Sequence, residues 1–317
     1  MLSPLSLAVD DHGSLFYSEN FAGKLWMRKK GKTAKVIYTS AAGPEGPAEV
    51  GAVSTRDDIV YFAAGTQVLR RKDGKVKPFA DIGKFEEAHN PDGGVTYGAV
   101  GLSEECKAQW PTGEGAPPVS YTGIVESHPY ATAYGDGALY VADAAANAVF
   151  RVRKGKIKTV AVLPATGVTI TAQMAEGFGL PDCAVGKTYN FEGVPTDVEF
   201  ADGKLFISSL AGGPEDGTVP GAVYRTNLKS GTTKRYASGF VGASGLAVAD
   251  DGNVYVSELF AGKVTRITPK RKVRTFVETA SPAAVEVRGK RLFVTENVFA
   301  GLGPDQAPGG KIVRYTR

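Results

Sequence analysis

Along most of this chain apolar and polar positions alternate with a period of two, the pattern of strands with one buried face. One five-residue word keeps returning: apolar, aromatic, apolar, small, acidic. It reads Leu15-Phe16-Tyr17-Ser18-Glu19, Leu139-Tyr140-Val141-Ala142-Asp143, Val254-Tyr255-Val256-Ser257-Glu258 and Leu292-Phe293-Val294-Thr295-Glu296. Two degenerate copies, Ile59-Val60-Tyr61-Phe62-Ala63 and Leu205-Phe206-Ile207-Ser208-Ser209, bring the count to six. A unit that recurs at intervals of tens of residues marks a repeat architecture.

Each copy has the same surroundings. A short apolar strand precedes it across a tight turn such as Asp136-Gly137, Asp202-Gly203 or Asp251-Gly252, the residues that hairpins favour. A Gly- or Ala-rich link then leads to a third strand, and a Lys-Gly-Lys or Asp-Gly turn opens a fourth. Helical periodicity is almost absent. The reading is an all-β chain, a six-bladed β-propeller of four-stranded antiparallel blades with long loops on one face. Its units fall at about 5–40, 50–82, 129–163, 195–237, 244–278 and 282–317, with insertions at 81–127 and 164–194, and 1–317 reads as one domain. The sixth unit reaches only its third strand at Arg317, and few residues precede the first. Either upstream residues, a signal peptide and a closing strand, are expected before Met1, or blade six has three strands.

Composition adds limits. Forty Gly, 18 Pro and 43% apolar residues, with no apolar run of membrane-spanning length, describe a turn-rich globular chain without membrane insertion. A net charge of +4 is too small to imply a nucleic-acid partner. The Lys- and Arg-rich outer hairpins at 29–32, 70–72, 153–156 and 270–272 guard exposed blade edges against pairing with other chains. A monomer is expected.

In a meandering blade the links between second and third strands share a face with the links between blades. All the long segments therefore lie on one face, where functional loops are most often found. The acidic residues that close the second strands, Glu19, Asp143, Glu258 and Glu296, end at this rim, together with Asn297. His128, Tyr130, Asp197 and Ser244, at the starts of innermost strands, fall near the central channel. Such a funnel suits a small polar or aromatic ligand. The repeated carboxylates also have an architectural reading, as acceptors for backbone N–H groups of the following turn. Cys106 and Cys183 lie in consecutive long junctions on the same face. A bridge between them is geometrically plausible and contributes roughly 4 kcal/mol in the chain-entropy model. The alternative is a pair of free thiols in a reducing compartment.

Several stretches resemble the ScyD/ScyE family of secreted NHL-like propellers. They are Asn90-Pro91-Asp92-Gly93-Gly94, His128-Pro129-Tyr130-Ala131, Gly179-Leu180-Pro181-Asp182-Cys183, Val194-Pro195-Thr196-Asp197-Val198 and Leu210-Ala211-Gly212-Gly213-Pro214-Glu215-Asp216. The resemblance implies a six-bladed fold and secretion, and departs from the family at His128, where it leads one to expect asparagine. More distantly, the chain resembles gluconolactonase- and paraoxonase-like propellers, in which residues at the starts of inner strands hold a central cation. Here Ser244-Gly245 and Ser281-Pro282 stand at such places, which leaves Asp197, Glu192 and Glu19 as another set for a divalent cation, Ca or Mg. Val256-Ser257-Glu258 followed by Gly262-Lys263-Val264 is similar to streptogramin lyase-like propellers, which use channel histidines.

The sequence thus supports a secreted propeller that binds a small molecule. The alternatives are a metal-dependent hydrolase or lactonase, less readily a lyase, with Asp197 on a cation and His128 moving the proton, and a protein-interaction platform presenting Tyr97, Trp110 and Tyr121.

Overall fold

The computed structural model describes residues 1–44 and 46–317. Six antiparallel meanders follow one another in chain order. Their innermost strands are Leu7–Val9, Val50–Arg56, Pro129–Gly135, Gly193–Ala201, Ala243–Val248 and Val285–Arg288. Each innermost strand packs against the next, and the last packs against the first, so the ring is closed. Blades 1 to 5 have four strands; blade 6 has three, Val285–Arg288, Arg291–Glu296 and Lys311–Thr316. Among the described residues no borrowed strand seals the ring. Met1 exchanges hydrogen bonds with Gly310, its amine donating to the Gly310 carbonyl at 3.0 Å and its carbonyl accepting at 2.9 Å. Leu7, Leu15, Tyr17 and Ala284 fill the seam between blades 6 and 1.

The repeated word now has a physical reason at each position. Its alternating apolar residues face the neighbouring blades: Tyr140 and Ala142 pack with Val198, Leu205, Ile207 and Tyr224 across the blade 3–4 interface. Its small residue is a staple. Ser18, Ser208, Ser257 and Thr295 are fully buried, and their hydroxyls bind inner strands, Ser257 donating to the Ala283 carbonyl of the next blade and Thr295 accepting from Ala284 N at 2.9 Å. A larger side chain would separate the blades, and an apolar one would leave buried backbone groups unpaired. Hairpin residues behave as their types demand. Asp136 and Gly137 both take positive φ, 49° and 68°, as the twist of a two-residue hairpin requires.

The two insertions are not loops. Thr96–Val100 and Ser120–Thr122 from the first pair with Thr166–Thr169 and Thr188–Phe191 from the second in one four-stranded sheet. Thr96–Val100 runs antiparallel to Thr188–Phe191 at its centre. The Cys106–Cys183 disulfide ties the two insertions together, over a core of Trp110, Ile170, Met174, Tyr189 and Phe191. The first insertion opens with helix α1, Ile82–His89, capped by Asp81 accepting from Lys84 N at 3.1 Å. Among the described residues no helix is long and apolar enough to cross a membrane.

Candidate functional site

The inner strands of blades 2 to 5 all break register near the looped face. In blade 3 Pro129 pairs with Asp143 and Ala131 with Ala142, so Tyr130 is the extra residue; Thr196 and Ser244 hold the same position in blades 4 and 5. Bulges of this kind re-aim side chains and are frequent beside active sites. In blade 2 the irregularity spans Gly51 to Ser54, and the buried Ala52 is held at φ 52°, a conformation that disfavours a side-chain-bearing residue. The Ala52 carbonyl accepts from Thr132 Oγ1 at 2.6 Å, which fixes it to blade 3.

Beside this bulge a cleft of about 310 Å³ opens on the looped face, lined by Asn20, Glu49, Thr66, Glu126, Ser127, His128 and Tyr130, among others. Blades 1, 2 and 3 all contribute. His128 Nε2 donates to Glu49 Oε2 at 3.2 Å, with 45% of the His128 side chain and 27% of that of Glu49 accessible. Buried Asn20 donates to Glu49 Oε1 at 2.8 Å, and its Oδ1 is bonded to Ser18 Oγ. Gly51 is required here, because a Cβ would stand 2.8 Å from Asn20 Nδ2. The Tyr130 ring meets His128 edge-on at 5.7 Å, and the His128 backbone N–H donates to Asp143 Oδ1 at 2.6 Å.

The electrostatics follow from these bonds. The hydrogen bond to Glu49 raises the His128 pKa above the ordinary imidazole value against the effect of burial, helped by the charges of Glu49, Asp143 and Glu126. Burial opposes ionisation of Glu49, but the bonds from His128 and Asn20 and the histidine's charge lower its pKa overall. The pair thus joins an imidazole held toward its protonated form to a carboxylate held toward its ionised form.

Tyr130 also lines a second, much tighter space of about 20 Å³ in the central channel, with Thr132, Thr196, Asp197, Glu199, Ser244 and Glu286. Burial pushes Asp197 up to about 7, although Val198 N and Leu246 N donate to its two oxygens at 2.8 and 2.7 Å. Burial and the charge of Asp197 carry Glu199 well above the carboxylate range, and burial with the charges of Glu199 and Asp197 does the same for Glu286. This channel repels negative charge from itself.

The other residues singled out in the sequence are placed as follows. Glu19 accepts from Leu2 N and Trp26 Nε1 at 2.9 and 2.7 Å. Asp143 accepts from Ser127 Oγ, His128 N and Ala146 N. Glu258 accepts from Val241 N at 3.0 Å and from Thr265 Oγ1, and Glu296 from Tyr315 OH, with Lys311 Nζ at 3.3 Å. These four carboxylates are tied into the fold, and neither the cleft nor the channel space is lined by them. Asn297, at φ 54°, donates its backbone N–H to Ala280 O at 2.8 Å in the turn that follows. Glu192 accepts from Tyr121 OH at 2.9 Å in the inserted sheet, so Asp197, Glu192 and Glu19 hold separate partners and do not assemble as one ligand set. Among the described residues no group of three or more His, Cys, Asp or Glu is disposed to hold a metal ion. Tyr97 and Trp110 are buried and Tyr121 is partly so, which makes them packing residues of the inserted sheet.

Three features escaped the sequence reading. Glu49 sits in a link without a motif. Glu199 and Glu286 had a signal: Glu199 is two residues from Asp197, and alternate residues of a strand share a face. The third is Glu86 on α1, 1% exposed, which burial and the charges of Asp143 and Asp92 push up to about 7. Separately, the inserted sheet and the link Gly212–Pro214 enclose an apolar pocket of about 410 Å³ with Ile170, Met174, Phe178, Leu180 and Phe191 in its wall.

Comparison with known proteins places the fold. No protein-family model matches the chain, and no curated protein matches it in sequence. Among solved structures, it is similar to virginiamycin B lyase from Staphylococcus aureus, at 16% identity over 92% of this chain and 91% of that one, TM-score 0.52. It is similar to the PQQ-bound aldose sugar dehydrogenase from Streptomyces coelicolor, at 14% identity over 99% and 94%, TM-score 0.58. It is also similar to a chain of a nidogen/laminin complex, at 9% identity over 89% and 84%, TM-score 0.54. Likeness at this level establishes a shared architecture and leaves chemistry to the site: the chain shares a propeller-like fold with these proteins.

Proposed function

We propose that this protein is an enzyme that opens a small ester or lactone by proton transfer in the cleft between blades 1, 2 and 3. The observation that carries the reading is the His128–Glu49 pair, held from behind by Asn20 and facing a cleft of ligand size. Nε2 is given to Glu49, so Nδ1 is the nitrogen free for chemistry, the logic of a base oriented by a carboxylate. Nδ1 takes a proton from water as the water oxygen bonds to the carbonyl carbon. The C–O bond then breaks, and the same proton passes to the departing oxygen. One water is consumed, an acid and an alcohol are released, and Glu49 stays ionised throughout. No step is assigned to a cation, because Asp197, Glu192 and Glu19 are bonded elsewhere.

Two further supports concern setting. The disulfide, with no free cysteine among the described residues, favours an oxidising compartment, and the motif resemblance to the ScyD/ScyE family favours secretion. The fold relatives named above include enzymes, which supports catalysis over a purely accessory role.

The test is a panel of esters and lactones, with p-nitrophenyl acetate and γ-butyrolactone as first probes, followed by acid release in wild type and His128→Asn. Turnover that rises with pH through a point above about 6.5 and is lost in the variant is expected. Turnover that survives the variant, or no turnover on any probe, overturns the reading.

A further inference from the structure

Seven buried side-chain N or O atoms among the described residues have no hydrogen-bond partner, and five of them belong to one place. They are both carboxylate oxygens of Glu86, Oδ1 of Asn90, Oδ1 of Asp92 and Oδ1 of Asn147. Glu86, Asp92 and Asn147 are at most 1% exposed. Native interiors leave few such groups unpaired, because each costs its full desolvation penalty. Five together, all oxygens, call for a shared positive partner.

Local geometry brings them together. Glu86 lies in the last turn of α1 and Asn90 caps its C-terminus at φ 37°, with Asn90 N donating to Glu86 O at 2.8 Å, and Asp92 is near enough for its charge to act on Glu86. Asp92 Oδ2 accepts from Asn147 Nδ2 at 2.9 Å and from Tyr97 OH at 3.0 Å. Asn90 Nδ2 donates to Gly123 O at 3.0 Å. A Cβ on Gly123 would fall 2.1 Å from Asp92 Oδ1, so only glycine leaves that oxygen its place. These donors are already spent on other atoms, and among the described residues no Lys or Arg forms an ion pair with either carboxylate.

We infer that Glu86, Asn90, Asp92 and Asn147 form a binding site for one Ca²⁺ ion, which joins α1 to the second-to-third-strand link of blade 3. Two carboxylates match a divalent charge, and the remaining amide oxygens are ligands that a hard cation accepts. The site also explains the spacing of Asn90-Pro91-Asp92-Gly93-Gly94, which the cleft chemistry leaves unused. Its effect is felt at the cleft, since Asp143, four residues before Asn147, receives both Ser127 Oγ and His128 N.

The experiment uses the full chain, stripped with EDTA and dialysed, then titrated with CaCl₂ by calorimetry and followed by thermal unfolding. One equivalent should bind, with a rise of several degrees in Tm at millimolar Ca²⁺. Tb³⁺ should luminesce at the same stoichiometry on excitation of tyrosine, through Tyr97 beside Asp92, and be displaced by Ca²⁺. In Glu86→Gln the Ca²⁺ response should vanish, while Tm in EDTA stays level or rises because a buried charge is gone. The inference is overturned if wild type binds neither ion, or if Glu86→Gln and Asp92→Asn, where folded, respond to Ca²⁺ as wild type does. A Glu86 that is simply protonated or bridged by water gives the first of these results.

Discussion

The cleft and the channel present the same chemical group under opposite conditions. In the cleft, Glu49 leaves water but gains a histidine and an amide, and its pKa falls. In the channel, a bulge away, burial raises all three carboxylates: Asp197 gains only two backbone N–H groups, and Glu199 and Glu286 gain like charges, so their pKa values climb. Burial alone therefore does not say what a carboxylate is for. A partner of opposite charge turns burial into a poised proton site, whereas like charges turn it into a stored cost that weakens the fold at high pH.

The sharpest way to break this contrast is to remove the imidazole. His128→Ala should lower kcat/KM by about 10²- to 10⁴-fold, measured on whichever ester or lactone the wild type turns over, and His128→Asn should do the same while sparing stability. Next, Glu49→Gln takes away the carboxylate that raises His128. We expect a loss of roughly tenfold, with the ascending limb of the pH–rate profile moving to lower pH, toward or below about 6.5; a limb that stays in place would unlink the two residues.

In the channel the sign reverses. Carboxylates raised above their unfolded values of about 4 hold protons in the native state that the unfolded chain has lost, so stability falls as pH rises from there through the raised values. Urea titrations of wild type between pH 5 and 8 should show this decline. Glu286→Gln should flatten it and raise stability at pH 8. The cleft contributes two trends of opposite sign: the part due to Glu49 is lost as pH falls below about 4.5, against the channel, and the part due to His128 is lost as pH rises above about 6.5, in the same direction as the channel. The smallest change is expected of Tyr130→Phe, which should alter KM by a few-fold through the edge contact with His128 and leave kcat nearly unchanged.

How far the sequence anticipates all this depends on range. The six blades are written in local alternation and in hairpin residues, so they are legible from Leu15-Phe16-Tyr17-Ser18-Glu19 onward. The Cys106–Cys183 pairing is also legible, because two cysteines allow only one bridge. The inserted sheet is not: its strands are three to five residues long and find partners some ninety positions away, too far for any local pattern. His128 and Tyr130 could be placed near the mouth of the channel from blade geometry. Their partner Glu49 could not, since a one-residue bulge at Gly51 to Ser54 decides how that link meets blade 3. The acidic ends of the second strands illustrate the reverse case. They are conspicuous in sequence because the architecture repeats, and Glu258 and Glu296 are consumed by that architecture.

One feature of the inserted sheet has a topological consequence. Its halves leave the chain on either side of blade 3, and the segment between Cys106 and Cys183, which are 77 positions apart, contains that whole blade. Blade 3 is thus a covalently closed ring within the larger one, and its two ends are held even when its neighbours open. In a repeat array, where fraying ordinarily spreads from unit to unit, this blade is the stop. Amide exchange should accordingly slow across Tyr130–Val162, the segment that carries Asp143 and directly follows His128, and reduction of the bridge should release it before the rest of the disc.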